Sequence, residues 1–162
     1  MANYDFNKDI EIGEDGEYVV RLDLESLGAT FVSDNKNNSH DLIMSVPEKD
    51  DINFKTVSYE IKTDVLCRPH SDTGNIFIEY ESRGKDSGIT VTTAEWFVTY
   101  FKYFNEIWYI KSNKLRKLIS ENNFKTHTDS GDFGSNTKGY LIPRYQFKKY
   151  FKVRTVPKNL IQ

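Results

Sequence analysis

The sequence predicts an α/β domain: a mixed central sheet flanked by helices, followed by a basic C-terminal extension. Three observations predict it. Apolar and polar residues alternate with the period of a strand in 56–63 and 75–81, and 106–111 reads as a further strand. Helical signals stand at 14–27, 92–105 and 112–122. The 162 residues contain no repeat and no dividing linker, which suits one domain with a full core. The predicted order is α-β-β-β-β-α-β-α plus a tail, with a core over about 14–111 and the extension over 112–162.

Residues 14–27 read as the opening helix. Asp15 and Glu17 favour its positive end, Val20, Leu24 and Leu27 recur on one face, and Gly28 supplies a stop. Ala29 to Ser33 is a short strand. The polar clusters Asp34–Ser39 and Pro47–Asp51 read as turns on either side of the run Asp41-Leu42-Ile43-Met44-Ser45-Val46. In 56–63, Val57, Tyr59 and Ile61 fall on one face and Ser58, Glu60 and Lys62 on the other. A loop over 67–74 leads to the strand 75–81. Arg83–Gly88 reads as a turn without regular structure.

Thr92 with Glu95 three residues on forms a capping box, which predicts a helix through about Asn105. Its rings (Trp96, Phe97, Tyr100, Phe101, Tyr103, Phe104) would lie all round it, as core and as a surface for a homodimer. A strand at 106–111 and a helix capped by Ser112 follow. Residues 125–139 read as a mobile loop, and 140–156 mix aromatics with bases.

Composition narrows the classes of function. No apolar run reaches the eighteen residues of a membrane span, and Met1–Asp5 is not a signal peptide, so a cytoplasmic protein is expected. The single Cys67 excludes an internal disulfide, and three scattered histidines (His40, His70, His127) speak against structural zinc. Charge is divided unevenly. Residues 1–64 hold fifteen acids against six bases, and 65–162 hold sixteen bases against nine acids. An acidic half that gathers metal and a basic half that holds polyanion fit nucleic-acid work; a mixed, solvated surface is the alternative.

Glu60 and Lys62 carry the sharpest signal. Opposite charges on one face of a strand are costly to bury unless paired or bound to metal. Magnesium neutralises a phosphodiester and acidifies water, and it needs few carboxylates. Asp41 and Glu60 are the natural pair of ligands, with the Ile61 carbonyl as a third. Lys62 would orient or deprotonate the attacking water, or oppose phosphate charge; as a base it needs a lowered pKa. The alternative is a solvent-facing ladder on an edge strand.

An opening helix, Asp41 before a hydrophobic run and Glu60-Ile61-Lys62 on the next strand together resemble the PD-(D/E)XK nuclease superfamily. That superfamily includes restriction endonucleases, Holliday-junction resolvases and phage nucleases. The stretch from Asn75-Ile76-Phe77-Ile78-Glu79 through Ser87-Gly88-Ile89 to Thr92-Thr93-Ala94-Glu95-Trp96 is similar to small phage and bacterial nucleases of this group. His40 stands where the motif's name has proline. The resemblance implies a restriction-endonuclease-like αβββαβ core and Mg²⁺- or Mn²⁺-dependent hydrolysis of duplex or branched DNA, leaving a 5′-phosphate and a 3′-hydroxyl. It implies Asp41 and Glu60 as metal ligands, Lys62 as the catalytic lysine and Glu17 as an additional acid. A homodimer and a phage origin fit it. A non-catalytic DNA-binding or protein-interaction module, or an RNA-directed nuclease, is the alternative.

For contact with DNA the sequence offers Lys138, Arg144, Lys148, Lys149 and Lys152, because a point charge opposite phosphate needs little geometry. Ser87 with Gly88 would present a backbone amide to a phosphate at a helix start. Glu79 and Glu81 either add an acid to the site or form a solvated edge.

Overall fold

The computed structural model describes residues 6–34, 40–130 and 134–160. Its elements are α1 (Phe6–Ser26), β1 (Thr30–Asp34), β2 (Leu42–Pro47), β3 (Phe54–Asp64), β4 (Asn75–Ser82), β5 (Lys85–Asp86), β6 (Trp96–Phe101), β7 (Glu106–Lys111), α2 (Ser112–Glu121), β8 (Lys125–Ser130), β9 (Thr137–Pro143), α3 (Arg144–Phe147) and β10 (Lys152–Thr155). The architecture is mixed α/β. A six-stranded sheet runs β1-β2-β3-β6-β7-β10, and a four-stranded sheet runs β5-β4-β9-β8. In the larger sheet β3 and β6 are parallel and every other pairing is antiparallel.

Alternation along β3 divides two cores. Val57, Tyr59 and Ile61 join Val19, Val20 and Leu24 of α1 in the first. On the other face Phe97, Phe101, Trp108 and Ile110 meet Ile76 and Ile78 of β4, Ile142 of β9 and Leu115 and Leu118 of α2 in the second. The larger sheet is therefore a middle layer, with α1 on one side and the smaller sheet plus α2 on the other. Among the described residues no helix is long and apolar enough to cross a membrane.

Helix α1 ends as expected, at Gly28 with φ +92°. Asp23 of α1 is buried though charged. Arg154 of β10 donates to both its oxygens at 2.8 and 2.9 Å, and the Tyr109 hydroxyl donates at 2.8 Å. The first helix is thereby tied to the last strand.

Three expectations are corrected. The helix expected over 92–105 is strand β6 followed by a 3₁₀ turn at Lys102–Phe104. Its rings occur all round because β6 is a central strand buried on both faces, Phe97 and Phe101 toward one core and Val98 and Tyr100 toward the other. Of the rings invoked for dimerisation, Phe97, Tyr100 and Phe101 are interior, Trp96 and Phe104 are half-buried and Tyr103 is exposed. The αβββαβ order also changes, because the parallel β3–β6 crossover carries the β4–β5 hairpin and a single 3₁₀ turn (Gly88–Thr90) instead of a helix. The hairpin turns at Arg83 and Gly84, both with positive φ, so part of the expected irregular turn is the strand β5.

The C-terminal segment, finally, is not an extension. Strands β8 and β9 build half of the smaller sheet and β10 is the edge of the larger one. Strand β8 occupies 125–130 within the expected mobile loop; residues 131–133 and the expected polar turn at 35–39 lie outside the described residues.

Candidate functional site

Strand β2 pairs with β3 from Leu42–Tyr59 onward, and one residue earlier the Asp41 amide bonds the Tyr59 carbonyl at 2.9 Å. The chain turns away there, leaving the edge of β3 beyond Tyr59 without a strand partner on that side. The Asp41 carboxylate fills part of the gap: its Oδ2 accepts the Ile61 amide at 2.7 Å. On a pleated strand a residue's N–H and C=O point to the same edge. The Ile61 carbonyl thus faces the side on which Asp41 stands.

Glu60 and Lys62 project from the face of β3 toward the smaller sheet, beside Phe97 and Thr99 of β6. Glu60 is only 8 % exposed. Lys62 Nζ bonds its Oε1 at 2.8 Å, and the Thr92 hydroxyl donates to its Oε2 at 3.3 Å. Asp41, Glu60 and Lys62 are thus brought together, on strands 20 residues apart in sequence.

The electrostatics follow from this crowding. Burial, then the Glu60 charge, raise the Asp41 carboxyl above the ordinary carboxylate value; the Ile61 amide, Lys62 and His40 pull the other way and lose. Burial works to lower Lys62, but the charge and hydrogen bond of Glu60, with the charges of Asp41 and Glu79, outweigh it and hold the ammonium above its usual value. The three carboxylates therefore favour the charged form of Lys62, which suits it to opposing anionic charge.

Two further residues reach this cluster: Glu79, one of the two readings the sequence left open, and Thr92, which it did not place here. Glu79 of β4 accepts a hydrogen bond from the Ser87 hydroxyl and is among the charges felt by Lys62. Thr92, read as a helix cap, instead holds Glu60 and accepts the Ala94 amide at 3.2 Å. Arg116 of α2 fixes this segment by donating to the carbonyls of Ile89 (3.1 Å) and Thr92 (2.6 Å). Neither contact has a local sequence signal, because both depend on how the hairpin crosses the sheet.

Other expected site residues are placed differently. Glu17 is half-buried on α1. Helix α1 meets β3 where a Cβ on Gly16 would collide with the Thr63 side chain, on the face opposite Glu60 and Lys62. The Ser87 amide is not open to phosphate, since it bonds the Tyr80 carbonyl at 3.0 Å. Arg144 is 3 % exposed, ion-paired with Asp72 and lying 4.7 Å from the Phe101 ring, so it is a buried anchor of the 65–74 loop rather than a DNA contact. Lys138 is paired with Glu81 at 2.7 Å. Lys148, Lys149 and Lys152 are exposed, with Lys152 lying 5.4 Å from the Trp96 ring.

A separate cleft of about 420 Å³ lies between the smaller sheet, the end of α2 and α3, lined by Asn75, Asn123, Phe124, Lys125, Gln146 and Phe147 among others. It does not include the Asp41–Glu60 cluster. Among the described residues no three His, Cys, Asp or Glu side chains are grouped to hold a metal ion. The oxygen donors gathered at this edge are the Asp41 and Glu60 carboxylates and the Ile61 carbonyl.

Compared with family models, curated proteins and solved structures, the chain finds no match.

Proposed function

We propose that the protein is a metal-dependent deoxyribonuclease of the PD-(D/E)XK type, acting on duplex or branched DNA with Mg²⁺ or Mn²⁺. One observation carries the reading: Asp41, Glu60 and Lys62 converge where β2 leaves β3, with the Ile61 backbone facing the same point. Such a donor set fits a hard cation that takes few protein oxygens and keeps several waters. Asp41, with one oxygen on the Ile61 amide, has the other to offer, and two carboxylates crowded in a half-buried place are relieved by positive charge. The metal would supply phosphate neutralisation and a more acidic water. Asp41 and Glu60 hold and orient that charge. Lys62, kept protonated, opposes the phosphate oxygens. The exposed Lys148, Lys149 and Lys152 would contact the DNA backbone.

A second reading, a non-catalytic DNA-binding module, is favoured by the engagement of both Glu60 oxygens, one by Lys62 and one by Thr92. One assay separates the two. Supercoiled plasmid and a four-way junction are incubated with Mg²⁺ or Mn²⁺ and with wild type, Asp41→Ala or Lys62→Ala. Metal-dependent nicking that disappears in both variants supports the nuclease. Binding without cleavage by all three supports the module, and cleavage confined to an RNA counterpart would redirect the substrate.

A further inference from the structure

Both oxygens of Glu60 are engaged, one by Lys62 and one by Thr92. A cation shared between Asp41 and Glu60 competes with these partners, and most strongly with the Lys62 ammonium, whose charge has the same sign. Thr92 is fixed: its hydroxyl also accepts the Ala94 amide, and Arg116 holds its carbonyl. Lys62 has a flexible stem and a side chain 39 % exposed, so it is the partner that moves.

An ammonium leaving a carboxylate in a half-buried place is costly unless a second anion receives it. Glu79 is at hand. The segment from Ser87 to Thr92 places its first hydroxyl on Glu79 and its last on Glu60, bracketing the two carboxylates. Gly88, at φ +53°, lets this segment pass directly against the Glu79 carbonyl, where a side chain would collide.

We propose that Glu79, oriented by Ser87, is the second counter-ion of Lys62, and that Lys62 passes from Glu60 to Glu79 when Glu60 turns to a divalent cation. The purpose of this exchange rests on the nuclease reading; the shared pairing of Lys62 does not. Glu79 and Ser87 act as positioning residues. They keep the ammonium beside the reacting phosphate while freeing Glu60.

The test is a cycle of urea unfolding in EDTA on the full chain, using Glu60→Gln, Glu79→Gln and the double variant, each also combined with Lys62→Met. Where either acid can hold Lys62, each single change alters the unfolding equilibrium by less than about threefold, and the double exceeds their product by about tenfold or more. The excess vanishes with Lys62→Met. A double variant that does not fold until Lys62→Met is added gives the same answer. Multiplicative effects, or a double variant that Lys62→Met does not rescue, overturn the proposal.

Calorimetric titration with Mn²⁺ then separates this inference from the reading beneath it. Binding that is abolished by Asp41→Asn and weakened about fivefold or more by Glu79→Gln supports both. Coupling without Mn²⁺ binding sinks the nuclease and leaves the pairing, whereas Asp41-dependent binding without coupling sinks the pairing alone.

Discussion

The Asp41 carboxylate accepts the Ile61 amide at 2.7 Å, although the two lie twenty residues apart in sequence. This bond replaces a ladder partner that β2 no longer supplies, and it holds an acid where burial and Glu60 disfavour its charge. A carboxyl raised in the folded state contributes stability below its unfolded value, about 3.9, and loses it as pH climbs through the higher folded value. Asp41→Asn keeps an acceptor for Ile61 and removes the charge. In EDTA at pH 7 the variant is expected to melt about 2–4 °C above wild type, the shift of a roughly 1 kcal/mol gain in a chain of this size. The difference should close below pH 4, and equal melting at both pH values would refute the assignment.

Gly88→Ala tests the close approach of the Ser87–Thr92 segment to β4. A left-handed φ and contact with the Glu79 carbonyl both penalise a side chain there. The expected loss is about 2 kcal/mol or more by urea unfolding. A neutral result would mean that the segment is free to shift, and that Ser87 and Thr92 do not fix the two glutamates.

Asp72 and Arg144 provide the clearest pH signature. Burial opposes ionisation of Asp72, but the Gly74 amide and the Arg144 hydrogen bond and charge prevail, so its carboxyl sits below the usual value. Its stabilising contribution is present above about pH 3.9 and disappears as pH falls through the lower folded value. Asp72→Ala strands a buried guanidinium and should cost about 2–4 kcal/mol at pH 7. Acid titrations monitored by circular dichroism should show the gap between variant and wild type narrowing as Asp72 protonates. A constant gap would exclude the ion pair as its source.

The exposed lysines make a contrasting prediction. Lys148→Ala with Lys149→Ala should weaken DNA binding evenly across sequences and reduce the slope of log affinity against log salt by about 2, leaving stability within about 0.5 kcal/mol. Fluorescence anisotropy at several salt concentrations reads the slope. An unchanged slope would exclude Lys148 and Lys149 as phosphate contacts. Arg144→Ala, by contrast, should register chiefly as lost stability.

The parts of the fold governed by local pattern were legible. Alternation marks β3 and β4, the short apolar run Ile107–Ile110 marks β7, and Gly28 marks the end of α1. The site residues Asp41, Glu60 and Lys62 were legible too, because charge on an otherwise β-forming run is conspicuous. Strand β6 was misread because a strand buried on both faces loses its alternation, leaving the Thr92–Glu95 spacing as the only visible signal. Arg144 looked like its neighbouring surface bases since nothing local announces Asp72, which lies 72 residues away. Glu79 had been weighed as either a site acid or an edge residue, and only the path of the hairpin brings it toward Lys62.

Arg154 and Asp23 are separated by 131 residues. During synthesis α1 is made well before β10, so its interior carboxylate has no ionic partner until a further 131 residues have been added. Completion of the larger sheet is thereby deferred until after translation of β10, and a chain shortened before residue 154 inherits an uncompensated negative charge beneath its first helix.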